Sequence, residues 1–231
     1  MLDLLAAGGM DALYASDFYA RIVDFDAAIL FTIQESVRSG FLNVVFKTIT
    51  HLGDGGVFWI ILTLVLMIFP KTRKMGLCSA VSLLLSVIIC NVILKNAFGR
   101  IRPYEVLDGL ELLVKPAHDA SFPSGHTSAS VASAISLFLA SDKKQKLFTV
   151  WGIVLAGLIG FSRIYIAIHY PTDVFVGAFL ALLLAIAGTL IGTKLYEVLA
   201  VKFKAMKKAK EAQAAGGPAV KETMSGESEN E

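Results

Sequence analysis

The sequence predicts an all-α integral membrane protein, a helical bundle of five to six transmembrane helices, and three observations carry the prediction. Of its 231 residues 55% are hydrophobic and 17% charged, and the mean hydropathy is +0.67. The apolar residues gather in runs near the roughly 20 needed for a helix to cross a hydrocarbon core. The connections between runs are short and polar, which suits helices that satisfy their own backbone in lipid rather than a barrel.

Taken in order, residues 16–38 mix Phe18, Ile22, Phe25, Ile29, Leu30 and Ile33 with Asp17, Arg21, Asp24, Asp26 and Glu35. That alternation predicts an amphipathic helix at the interface or against the bundle. Residues 40–52 are apolar but short, which fits a re-entrant or buried segment. His51-Leu-Gly-Asp54-Gly-Gly then reads as a turn. Spans are expected over residues 55–69, 75–94, 124–140, 147–166 and 174–195, and either N-terminal segment, if it crosses, makes six. Three units follow: 1–54 with amphipathic or re-entrant helices, 55–200 as the transmembrane core, and 201–231 as a disordered, charged tail rich in Lys, Glu, Gly and Ser.

The net charge is +2, and the basic residues sit at span ends rather than on one soluble face, so nucleic acid is not an expected partner. Cys78 and Cys90 lie in one apolar run and read as small hydrophobes. The N-terminus has no basic region ahead of its apolar residues, so no cleaved signal peptide is expected. Lys71, Arg73 and Lys74, then Lys143, Lys144 and Lys146, then Lys194 and Lys202 onward follow alternate spans. Positive charge favours the cytoplasmic side, which places the tail there and the intervening connections on the non-cytoplasmic face of the plasma membrane.

Three polar stretches fall on those connections: Lys95-x6-Arg102-Pro103, Pro123-Ser124-Gly125-His126 and Ser162-Arg163-x5-His169-x3-Asp173. Ionisable groups beside apolar spans are costly and mark functional sites. Arg102 and Arg163 offer planar forks that match phosphate oxygens and Lys95 adds a point charge. Ser124 and Gly125 open a helix whose free N–H groups favour an anion. Without metal-ligand spacing or a nucleotide loop, phosphate ester chemistry needs a nucleophile. His169 fills that role, with Asp173 holding its other nitrogen and His126 as proton donor. His118 and Asp119 read as solvated loop residues.

In this order the three motifs resemble the signature of the type-2 phosphatidic acid phosphatase superfamily, which includes lipid phosphate phosphatases and undecaprenyl-pyrophosphate phosphatases. The motifs cover Lys95 to Asp173 and are complete. The resemblance implies a six-helix bundle and a phosphohistidine mechanism without metal or other cofactor. It implies His169 as nucleophile, Asp173 as its charge partner and His126 as general acid. Lys95, Arg102, Ser124, Gly125, Arg163 and Ser162 are implied as phosphate binders. The expected function is hydrolysis of a lipid phosphate or pyrophosphate: undecaprenyl pyrophosphate first, phosphatidylglycerol phosphate or phosphatidic acid second. Two alternatives stay open, a non-catalytic lipid-phosphate binder or transporter, which has no use for a nucleophile–carboxylate pair, and a lipid phosphotransferase, which differs only in the acceptor.

Overall fold

The computed structural model describes residues 13–214, and the readings made for 1–12 and 215–231 lie outside them. The chain divides into two compact units after Thr193. In the first, helix α1 (Asp17–Thr32) starts at Ser16, whose hydroxyl accepts from Tyr19 N, and ends in a π turn at Ile33–Val37. Helix α2 (Gly40–Leu52) is capped the same way by Ser39. After a short 3₁₀ turn comes α3 (Val57–Ile68), then α4 (Arg73–Ser86), which widens into a π-helical stretch at Val87–Leu94. Two short helices follow, α5 (Lys95–Phe98) and α6 (Pro103–Val106). The bundle is completed by α7 (Gly125–Ala140), α8 (Lys146–Tyr165) and α9 (Pro171–Ala214).

The unit mixes hydroxyls into an apolar core and turns many large apolar side chains outward. Ile60, Leu64 and Ile68 of α3, Trp151 and Leu158 of α8, and Phe175, Phe179 and Leu183 of α9 are exposed, while Ser79, Ser82, Ser128, Ser130, Ser133 and Ser136 are buried. The hydroxyls pair across helices: Thr63 with Ser79 at 2.7 Å, Ser79 with Ser133 at 2.7 Å, and Ser136 with Thr189 at 3.0 Å. Trp59 Nε1 donates to Ser130 Oγ at 2.8 Å. Small and hydroxylated residues inside and apolar ones outside are how helices pack when the solvent is lipid. Close approach depends on glycine. A Cβ on Gly188 would lie 2.3 Å from Ser82 Oγ, and one on Gly192 would lie 2.7 Å from Cys78 Cα.

Among the described residues three helices are long and apolar enough to cross a membrane: Arg73–Val106, Lys146–Tyr165 and Pro171–Glu211. A fourth is added if Gly40–Leu52 and Asp54–Ile68, bent by 42°, form one span. The all-α membrane bundle is as expected, with five to six spans expected from the apolar runs. Helix α7 has 16 residues, and its Ser130, Ser133 and Ser136 pair with neighbouring helices. The expected N-terminal amphipathic helix is α1, and its Asp26 is fully buried rather than on a wet face. In the second unit the chain is helical through Ala214, where the sequence suggested disorder from 201. The Ala, Lys and Glu there are good helix formers, and Lys207 pairs with Glu211 at 3.8 Å.

Candidate active site

The three polar motifs converge at one end of the first unit. Helix α8 stops because Ala167 adopts a left-handed φ of 61°, and both Ile168 N and His169 N donate to Arg163 O at 3.2 Å. A left-handed residue is the usual way to end a helix, although glycine fits it more cheaply than alanine. Pro171 then opens α9 with its preset φ. Asp173, in the first turn, reaches back to accept from Tyr170 N at 3.0 Å, so His169 is locked between two helix ends. The start of α7 is tied to the same place, since Ser124 N donates to Asp173 O at 3.1 Å.

His169 is 1% exposed, and its two ring nitrogens have different surroundings. Nδ1 lies 3.5 Å from Asp173 Oδ2 and 3.4 Å from Ser121 Oγ. Nε2 lies 3.4 Å from Arg102 Nη1, which also donates to Ile168 O at 2.7 Å. Guanidinium offers only donors, so Nε2 carries the lone pair and Nδ1 the proton. Burial first, then the charges of Arg102, Arg163 and Lys95, drive this imidazole well below the ordinary histidine pKa.

The cations form a cradle around it. Lys95 is buried, and its ammonium pairs with Asp119. Arg102 Nη2 donates to the other Asp119 oxygen at 2.6 Å, and Arg102 Nε to the Asp119 carbonyl at 2.9 Å. Partial burial works against ionisation of Asp119, but the hydrogen bonds and charges of Lys95 and Arg102 hold its carboxyl well below the usual carboxylate range. Arg163 Nη1 donates to Thr50 Oγ1 at 2.6 Å, while its buried Nε has no partner among the described residues. A buried donor left open is costly and marks a place for an acceptor.

Helix α7 brings its first turn to the same region. Ser124 Oγ accepts from Thr127 Oγ1 at 2.9 Å, which leaves its own proton free to donate. A Cβ on Gly125 would meet Asn91 Oδ1 at 2.5 Å, so only glycine lets this turn press against the π-helical stretch that carries Asn91 toward Lys95. Such π bulges shift side-chain register and recur at functional sites. His126 Nε2 lies 2.9 Å from Asp54 Oδ1. Lys95, Asp119, Gly125 and His126 line one cavity of about 550 Å³, which continues between α3 and α4 past Ile60, Leu64, Leu84 and Val87.

Eight of the nine residues singled out from the sequence therefore lie together. Ser162 is buried, but its hydroxyl donates to Ile159 O at 2.6 Å in its own helix, so it supports the helix rather than the cradle. The site also takes in residues outside the nine. Asp119 is more than half exposed in its loop, as expected, and its carboxylate also bridges two of the cations. Ser121 Oγ donates to Asp173 Oδ2 at 2.5 Å. Arg100 donates to Asp173 Oδ1 at 2.6 Å and to Asp26 Oδ2 at 3.0 Å, under the ring of Tyr170. Arg100 stands two residues before Arg102, and a second arginine in a polar motif of a lipid-facing chain was the available signal. Nothing local marks Asp26, which reaches the site from 74 residues away in sequence.

Residues 76–197 match the family model described as the PAP2 superfamily. The chain is 34% identical over 119 residues to an undecaprenyl-diphosphatase of Sulfolobus acidocaldarius, covering 52% of this chain and 56% of that protein. It is 33% identical over 161 residues to phosphatidylglycerophosphatase B of Bacillus subtilis, covering 64% of this chain and 74% of that protein. The alignment thus spans just over half the length of the first of these relatives. The crystal structure of a transmembrane PAP2 type phosphatidylglycerolphosphate phosphatase from Bacillus subtilis superposes with a TM-score of 0.61 at 25% identity, over 84% of this chain and 93% of that one. The matched segment holds all three polar motifs, and with the shared helical fold it makes this chain a member of the PAP2 superfamily.

Proposed function

We propose that the protein is a membrane phosphatase that hydrolyses a lipid phosphate or pyrophosphate through a phosphohistidine on His169. The observation that carries this reading is the asymmetry of the His169 ring. Its Nδ1 edge faces Asp173 and Ser121 while its Nε2 faces Arg102. In the first step Nε2 attacks phosphorus, the bond to the leaving oxygen breaks, and His126 gives that oxygen a proton. Lys95, Arg102, Arg163, Ser124 and the Gly125 amide stabilise the equatorial oxygens. Asp119 gives way as the phosphate takes its place between Lys95 and Arg102. In the second step water attacks the phosphohistidine, His126 takes the water's proton, and phosphate leaves. No step calls for a metal.

The cavity supports a lipid substrate, since its polar end holds Lys95 and His126 and its wall between α3 and α4 is apolar. The named relatives act on undecaprenyl diphosphate and phosphatidylglycerophosphate, and these head the substrate panel, with phosphatidic acid third. The site belongs on the non-cytoplasmic face. Gln145 Nε2 donates to Lys71 O at 3.3 Å, so two of the basic loops lie side by side, and each is joined to the site through a helix.

The test is phosphate release by purified protein in detergent with EDTA, across that panel, with His169→Gln alongside because the side chain is buried. The wild type releases phosphate in chelator and the variant is slower by about 10³-fold or more, as for loss of a nucleophile. Release by the variant at more than about a tenth of the wild-type rate removes His169 as nucleophile. Binding without release points to a non-catalytic lipid binder, and release only when an acceptor lipid is added points to a phosphotransferase.

A further inference from the structure

The turn between α2 and α3 is shaped around His126. Gly53 ends α2, and a Cβ there would lie 2.8 Å from His126 Cδ2 and 2.9 Å from Ile159 Cγ2. Gly55 and Gly56 have φ of 58° and 67°, in the left-handed region that glycine enters without strain. One glycine allows the contact and two allow the reversal, and together they present Asp54 to the imidazole. Asp54 Oδ1 lies 2.9 Å from His126 Nε2. The other oxygen lies 2.7 Å from His51 Nδ1, so the carboxylate is held from both sides although it is about half exposed.

From this geometry we infer that Asp54 is a positioning residue for the proton donor, fixing His126 with Nε2–H on the carboxylate so that Nδ1 carries the transferable proton. The Cδ2–Nε2 edge of the ring lies against the turn, which leaves the Nδ1–Cε1 edge facing away from it. An anion beside Nε2 also stabilises the imidazolium in surroundings that Lys95 and Arg163 make cationic. The proton balance is complete. Nδ1–H passes to the leaving oxygen as its bond to phosphorus breaks, leaving neutral His126 still bonded to Asp54 through Nε2–H, and Nδ1 recovers a proton from the attacking water. The inference rests on the reading of His126 as general acid.

The test exploits the fact that a poor leaving group needs protonation and a good one does not. Wild type, Asp54→Asn, Asp54→Glu, His126→Ala and the Asp54→Asn/His126→Ala double variant are compared on phosphatidic acid and on p-nitrophenyl phosphate in one detergent. Asp54→Asn is expected to lose about 10- to 100-fold in kcat on the lipid, within the range of general-acid catalysis. Its loss on the aryl ester is expected to be at least tenfold smaller. Asp54→Glu recovers part of the lipid activity, and the double variant is no slower than His126→Ala alone. Equal losses of Asp54→Asn on both substrates, or additive losses in the double variant, overturn the role of Asp54. If His126→Ala itself loses equally on both substrates, the general-acid reading falls and the inference with it. Inactivity of the wild type on both substrates and on undecaprenyl diphosphate and phosphatidylglycerophosphate overturns the proposed function, and the inference with it.

Discussion

His169 is held by its neighbours in the form a nucleophile needs, and this has a measurable consequence. Burial, and then the cations Arg102, Arg163 and Lys95, lower its pKa well below the ordinary value. A lowered histidine pKa means the neutral, reactive ring persists as pH falls and is lost only when pH drops through the depressed value. The acid limb of kcat/KM for the free enzyme is therefore expected below the ordinary histidine value of about 6.5. Asp173 favours the imidazolium, but it is bound by Arg100, Ser121 and Tyr170 N, which weakens that pull. Arg102→Ala removes one opposing charge and shifts the limb upward. An acid limb at or above about 6.5 in the wild type, unmoved by Arg102→Ala, contradicts this account of the ring.

At the scale of elements, the site is assembled by contacts that link distant helices. Asp26 of α1 accepts from Thr172 N at 2.9 Å, from Thr172 Oγ1 at 2.5 Å and from Arg100 at 3.0 Å. Arg100 in turn holds Asp173. The N-terminal helix is thereby locked to the first turn of α9, and Asp26→Ala leaves a buried arginine short of a partner. Since Arg100 keeps Asp173, the expected cost is about 1–3 kcal/mol, as for buried donors left without an acceptor, read as a lowered unfolding midpoint in detergent. A stability loss under about 1 kcal/mol, the size of a surface pair, contradicts it. This link explains what the sequence could and could not show. Hydropathy located α3, α4, α8 and α9 by their long apolar runs and α7 by Val131, Ile135, Leu137 and Leu139 among its serines, and the motif residues stand out as charges against that background. Asp26 looked like one acid among several on an amphipathic helix, because its partner is contributed by a different element. Asp119 is wet, and its loop position did not show that Lys95 and Arg102 meet at its carboxylate.

For the molecule as a whole, the apolar exterior and the hydroxyls paired across its helices suit the bilayer as solvent, and the basic loops are expected to set its direction. The site end, with Lys95, His126 and His169, is expected on the non-cytoplasmic face and the Lys71 and Lys143 loops on the cytoplasmic one. Single cysteines at Asp108 and Lys143, in a variant with Cys78 and Cys90 replaced by alanine, test this in intact cells. An impermeant thiol reagent should label the Asp108 position and not the Lys143 position. The reverse pattern places the chemistry on the other side of the membrane.

The central claim is that phosphate passes through a covalent bond to His169 Nε2. The most direct measurement is a rapid alkaline quench of wild-type protein during turnover, followed by mass analysis of the peptide that contains His169. Phosphohistidine at His169, absent in His169→Gln, is the predicted result. Turnover with no phosphoryl group on His169 at any quench time, or with the group on another residue, would contradict it.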